Sequence, residues 1–344
     1  MKTIKNYTIF LFITTMTRNI IDIYSIIYLY QKSFSIKSII GTYVLVYFIG
    51  IFISRYSILI GNKIGYKYIL MLSTIVTSIT FYIMQISNNI YLIATFLSLS
   101  LFTYHPIRHC YGIKLLKNKK DISKTLIYTY IAQLLSSYIV IKKISFTYLI
   151  IISIIGIIPT LFIKKESSKK IKYPHRISNN KLNFFFYDQF KIIFLLLEPL
   201  YLYLISNNIS YVGLFSIILT ISSIVCIYYI VNKINIYNNY QYINIIFTLI
   251  LIIKLNADNK NLLLIIALLE GIGIKINELI SNINLYDYNQ ISEGYIIVSE
   301  TIFCLTRTLI LGIIYFLPIS FKSILYILLV GVFLLSFQYK KDTT

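Results

Sequence analysis

Tryptophan is absent from this chain of 344 residues, and glycine and proline are scarce, at 12 and 5. Ile, Lys, Asn, Tyr and Phe fill the space instead, as an AT-rich genome would dictate, so no single Lys, Asn or Tyr carries much meaning on its own. Cysteine is limited to Cys110, Cys226 and Cys304, all in or near apolar segments and without paired spacing. That excludes a disulfide frame and a cysteine metal site and leaves three small buried residues. Charge is also thin. Only 13% of residues are charged, about half the share of a soluble domain. Acids are fewest, 12 against 32 bases, for a net charge of +20. In a soluble chain that excess would point to nucleic acid. Here the lysines are confined to gaps between apolar blocks, so no nucleic-acid partner is expected.

What is present is long apolar sequence: 58% of residues are hydrophobic and mean hydropathy is +0.77. Blocks run through Tyr7–Ile13 with Ile20–Leu29, Ile39–Ile53, Tyr68–Ile83, Ile144–Ile163 and Leu262–Leu269. A helix crossing about 30 Å of hydrocarbon needs about 20 such residues, so twelve crossings need roughly 240. The chain accommodates them, and the fold class expected is an all-α integral membrane protein with about 12 transmembrane helices. The segments fall near 7–30, 36–60, 67–86, 90–113, 123–141 and 144–163, then 184–206, 209–231, 241–255, 261–280, 290–316 and 320–338. The long polar stretch KKESSKKIKYPHRISNNK separates the two sets. The expected organisation is an N-terminal six-helix bundle over 1–163, a basic linker over 164–182 and a C-terminal bundle over 183–344. No cleavable signal is expected, because the first segment carries Arg18 and Asp22 and lacks a small-residue cleavage pattern. With alternating loops, Lys and Arg divide 22 to 7 between the two sides, Lys254 being placed in an outer loop, and three more lie within helices. The richer side is the cytoplasmic one. Both termini and the linker are therefore expected in the cytoplasm of a cell whose plasma membrane holds the protein.

The joint between the second and third segments reads LIGNKIGYK, Leu59 to Lys67. Gly61 and Gly65 permit close helix approach at a tight turn, and Lys63 and Lys67 lie on the basic side. This stretch resembles the helix 2–3 signature of the major facilitator superfamily, G-x-x-x-D-R-x-G-R-[RK]. Asn62 stands at the acid's position, Lys63 and Lys67 at basic positions, and Tyr66 where a further Arg is usual. The resemblance implies two six-helix pseudo-repeats, alternating access and a cytoplasmic gate at Gly61, Asn62, Lys63, Gly65 and Lys67, with the gate's usual carboxylate missing. A repeat requires an echo, and Asn232-Lys233-Ile234 repeats Asn62-Lys63-Ile64 at the matching place in the second half. The Arg108-to-Gly112 spacing resembles a helix 4 pattern of the family, displaced toward the cytoplasmic end, whereas segment 5 lacks the Gly-Pro pattern of antiporters.

Ionised groups deep in the membrane cost about 2.5–3.5 kcal/mol each, so each must face protein or water. The deep ones are Arg18, Asp22, Glu198, Glu270, Glu300 and Arg307. Arg18 and Asp22 share a helix face and can pair. Glu300 and Arg307 are two turns apart, which requires partners on other helices. Pro199 can bend the helix beside Glu198, and Gly271 with Gly273 makes a flexible point beside Glu270. Four deep acids against two bases would suit a shared proton. Asp188, Lys191, Lys275 and Glu278 lie nearer the cytoplasmic ends, within reach of water. The family resemblance implies that segments 1, 4, 7 and 10 line the cavity, which selects Arg18, Asp22, Glu198 and Glu270, with His105 on the fourth. His105 suits substrate or proton handling, or a structural role. His109 and His175 lie near or beyond the membrane edge. The resulting expectation is a monomeric carrier of a small solute, with H+ or another coupling ion, embedded in lipid and without cofactor. There is no G-x-x-x-x-G-K-[ST] for an ATP-driven pump. Two alternatives stay open on the residues alone: a membrane-embedded acyl or glycosyl transferase using His105 and His109, and a non-transporting scaffold.

Overall fold

The computed structural model describes residues 2–115, 119–143, 145–166, 171, 173, 179–230, 236–285 and 292–338. The apolar blocks become helices. They are α1 (Lys2–Gln31), α2 (Ile36–Ile64), α3 (Tyr66–Ile86), α4 (Ile90–Leu115), α5 (Lys119–Ile141), α6 (Phe146–Ile155) and α7 (Ile157–Leu161). After the linker come α8 (Asn179–Ser206), α9 (Ile209–Val225), α10 (Ile236–Asn256), α11 (Lys260–Leu285), α12 (Glu293–Phe316) and α13 (Phe321–Leu335). A π-helical turn, Cys226–Ile230, extends α9. The segment expected as one helix over 144–163 is broken at Gly156, with Pro159 just beyond it, into α6 and α7. Proline removes a ladder donor there. Counting α6 and α7 as one bent helix gives twelve α-helices among the described residues.

Seven of these helices (α1, α2, α3, α4, α8, α9 and α12) are long and apolar enough to cross a membrane. Three stretches, Thr125–Ile141, Phe146–Leu161 and Phe321–Leu335, are apolar but shorter. α11 carries Glu270, Lys275 and Glu278 along its length and is not among the seven.

Short polar joints close the helix ends. Ser35, Asn208, Ser292 and Ser320 each accept a hydrogen bond from a backbone N–H two or three residues on, satisfying donors that a helix start leaves open. At the α1–α2 corner, Lys32 Nζ donates to the carbonyls of Met84 at 2.7 Å and Ser87 at 2.8 Å, capping the C-terminus of α3. The α2–α3 joint turns at Gly65, whose φ of 112° excludes a side chain at little cost only for glycine.

α2 packs on α12 and α4, α3 on α4, α1 on α5, α9 on α5 and α11, and α8 on α13. The α2–α12 and α5–α9 pairs join the first set of spans to the second. Against α9, the Gly271 region of α11 is a contact and not the expected flexible point. A Cβ at 271 would run into the Leu219 carbonyl and the Ser222 hydroxyl. α11 stays helical throughout. Ser223 Oγ donates to the Gly271 carbonyl at 2.9 Å, and Ser222 Oγ bonds the Leu268 carbonyl. Small residues here bring two backbones together, as is usual between helices in lipid. Phe52, Ile151, Ile253, Leu309 and Phe333 are exposed on outer faces, as suits contact with acyl chains. The residues of the echo Asn232-Lys233-Ile234, most of the linker and His175 lie outside the described residues.

Candidate functional site

One face of α1 carries Thr14, Arg18 and Asp22 at four-residue intervals, which aligns them toward α3 and α4. Thr14 Oγ1 and the Tyr104 hydroxyl are 3.0 Å apart. The Arg18 guanidinium lies 3.9 Å from the centre of the Tyr104 ring, and its Nη2 donates to Thr77 Oγ1 at 3.0 Å. Arg108, one turn beyond Tyr104 on α4, stands 5.6 Å from the same ring. Arg18 and Asp22 share a face, as expected, but no ion pair joins them, because cation–π contact and Thr77 draw the guanidinium aside. Arg18 is 3% exposed, and its Nε and Nη1 have no hydrogen-bond partner. Asp22 is exposed although it sits within a spanning helix. Its surroundings include Arg18 and the phenols of Tyr43 and Tyr47, all buried. The space it faces is therefore interior.

The second set of spans meets this cluster through α12. Arg307 Nε donates to Gln189 Oε1 of α8 at 2.7 Å, and its guanidinium lies 5.1 Å from the Tyr47 ring of α2. Tyr47 is in electrostatic range of both Asp22 and Arg307. Glu300 is in range of Arg307 and Arg108, and His105 of Arg18, Arg108 and Arg307. Five of the seven candidate residues thus converge: Arg18, Asp22, His105, Glu300 and Arg307. Tyr47, Thr77, Tyr104 and Gln189 complete the cluster. Sequence reasoning passed over these four because uncharged polar residues are common along the chain.

Glu198 and Glu270 go elsewhere. They face each other across Lys254, whose Nζ lies 3.0 and 2.8 Å from the two Glu270 carboxylate oxygens and also pairs with Glu198 Oε1. The ring of Phe215 is 4.6 Å from that ammonium. Lys254 was expected in an outer loop. Instead α10 runs on to Asn256 and Lys254 is 0% exposed, since a helical side chain leans back toward the N-terminus and hence into the bundle. The missed signal was the lysine inside ILILIIKLN, matched to two acids without bases. Lys191 and Lys275, expected to reach water, are also buried. Lys191 pairs with Asp188, and Lys275 with Glu278 at 2.7 Å while lying 5.1 Å from the Tyr130 ring of α5. Each finds an acid one turn away, which offsets the loss of water.

At the end of the bundle holding the α2–α3 joint, α12 brings an acid against α4 and Tyr66. Glu293 Oε1 pairs with Lys114 Nζ of α4 at 2.8 Å and accepts from the Tyr66 hydroxyl at 3.5 Å. Lys114 also lies 4.7 Å from the Tyr66 ring. Lys67 Nζ donates to the Leu161 carbonyl at 3.3 Å. At the opposite end, Gln31 Nε2 donates to the Tyr203 hydroxyl at 3.2 Å, tying α1 to α8. The three cysteines are free and buried. Among the described residues no group of three or more His, Cys, Asp or Glu is placed to hold a metal ion.

The helical bundle thus encloses charged side chains supplied by both sets of helices. The chain is similar to the solved structure of a mutant of the nucleoside transporter NupG, with TM-score 0.71 and 14% identity over 98% of this chain and 100% of that one. A second NupG structure gives TM-score 0.69 and 13% identity, covering 98% of each chain. A mutant of the E. coli fucose:proton symporter FucP gives TM-score 0.61 and 13% identity, again over 98% of each. No protein-family model matches the chain, and no curated protein matches its sequence. The likeness to these structures runs over nearly the whole chain and is a likeness of fold.

Proposed function

We propose that this chain is a secondary transporter of a small solute, working by alternating access and coupled to protons. The observation that carries the reading is the interior cluster in which Tyr47 lies near both Asp22 of α1 and Arg307 of α12, His105 lies near both Arg18 and Arg307, and Arg307 bonds Gln189 of α8. Ionised groups contributed by both sets of spans, inside a fold shared with a nucleoside transporter and a fucose:proton symporter, suit a midplane site about which two halves rock. In this reading the halves are 1–163 and 183–344, related as pseudo-repeats and joined by the linker 164–182. Basic residues favour a cytoplasmic location for both termini, in the plasma membrane. The gate is the joint at Gly61, Asn62, Lys63, Gly65 and Lys67, with Glu293 and Lys114 supplying the ion pair that Asn62 cannot. Asp22, Glu300 and the Glu198–Lys254–Glu270 group are the acids available for proton coupling.

The test is uptake into proteoliposomes of nucleosides, hexoses and organic acids, with and without an inward proton gradient. Saturable uptake that Asp22→Asn or Arg307→Gln abolishes, while the variants still insert and fold, supports the carrier. Wild-type flux for both variants would sink it. A reporter fused after Lys143 is expected on the outer face, and a cytoplasmic signal there would invert the topology.

A further inference from the structure

We propose that the central cluster binds a small organic anion, a carboxylate or a phosphate ester, through Arg18. For transport the inference rests on the carrier reading above; for binding it stands alone. Arg18 is 3% exposed, and its Nε and Nη1 have no protein partner. Those two atoms carry three N–H donors between them. Buried, unanswered donors on a permanent cation are costly, and more so than on a neutral group. The residue best able to answer them, Asp22, is one turn away, yet no ion pair forms and its carboxylate is exposed to the interior space. Thr77 satisfies Nη2 and the Tyr104 ring supports the guanidinium plane, so the group is held in place with its remaining donors unsatisfied. An oxyanion can accept from more than one of these donors at once, a geometry for which guanidinium is better suited than ammonium.

The experiment is a thermal-shift titration of the purified full-length chain with four probes: a monocarboxylate (lactate), a phosphate monoester (glycerol 3-phosphate), uridine and L-fucose. A ligand bound by the folded state raises the melting temperature. The expected result is stabilisation by one or both anions and none by uridine or fucose, with at least tenfold weaker apparent affinity in Arg18→Gln. Lactate against glycerol 3-phosphate separates carboxylate from phosphoryl recognition. Should Arg18→Gln fail to fold, Arg18→Lys keeps the charge while losing the planar donors, and is expected to bind the anion at least threefold more weakly. Stabilisation by uridine or fucose alone, by no probe at all, or undiminished anion binding in Arg18→Gln or Arg18→Lys overturns the inference. Anion binding without uptake in liposomes would overturn the carrier and leave the anion site standing. Uptake of a neutral solute with no anion binding would do the reverse.

Discussion

Lys254 places a single ammonium between two buried carboxylates, and the three side chains depend on one another. Removing the ammonium alone leaves Glu198 and Glu270 facing each other in an apolar pocket near Phe194 and Phe215. Loss of one member of a buried ion group costs about 3–5 kcal/mol. Lys254→Met is therefore expected to lower the melting temperature in detergent steeply. Exchanging both acids for Gln in the same chain is expected to restore most of the loss, since nothing charged is then left unpaired. If Lys254→Met melts with the wild type, the group does not hold the bundle together. The acids themselves were visible in the sequence, as charges lipid would not tolerate. Their base was not, because Lys254 sits two residues from a helix end and composition alone cannot say which way a side chain leans.

Between elements, α9 and α11 approach closely where Ser222 and Ser223 bond carbonyls at and near Gly271. A methyl at 271 meets backbone, which cannot swing away as a side chain can. Gly271→Ala is expected to cost about 1–3 kcal/mol, the range for overpacking a tight interface, and native-state amide exchange should report the loss along α9 and α11. Unchanged protection there would refute the interface. A smaller effect is expected at the α1–α2 corner. Lys32→Ala removes the cap on α3, a loss of about 1 kcal/mol, read as a slightly lower melting temperature. The number and order of helices were legible because block length against membrane thickness needs only composition. Breaks and glycine roles were less so. The break near Gly156 goes with Pro159 in the same segment, while the role of Gly271 is set by α9, which only the folded neighbours reveal.

At the scale of the whole molecule, the resemblance leads one to expect a gate at the α2–α3 joint, with Asn62 in place of its usual acid. An acid for that end, Glu293, lies 231 positions away on α12 and comes into view only when α4 and α12 are brought together. Glu293 pairs with Lys114 there, both partly buried, and the Tyr66 ring lies against the ammonium. Ile296 and Ile297, one turn further along α12, pack into the same core as Tyr7, Phe10 and Ile107 of the first set of spans. Apolar contacts and the ion pair together join α4 and α12 at this end. A pair at this exposure contributes about 1 kcal/mol, close to a fivefold change in an equilibrium. Glu293→Gln is accordingly expected to shift the molecule several-fold toward opening at this end. Cys110 is a native reporter for it, being buried 2% exposed in that same core and within electrostatic range of both partners. Its alkylation by a membrane-impermeant maleimide, applied from the face carrying the joint, is expected to quicken several-fold in Glu293→Gln. The charge-exchanged chain, Lys114→Glu with Glu293→Lys, is expected to return to the slow rate because the pair re-forms with its signs reversed. Equal rates in wild type and Glu293→Gln would mean that closure at this end rests on the isoleucines alone, and that the charge missing at Asn62 was never replaced.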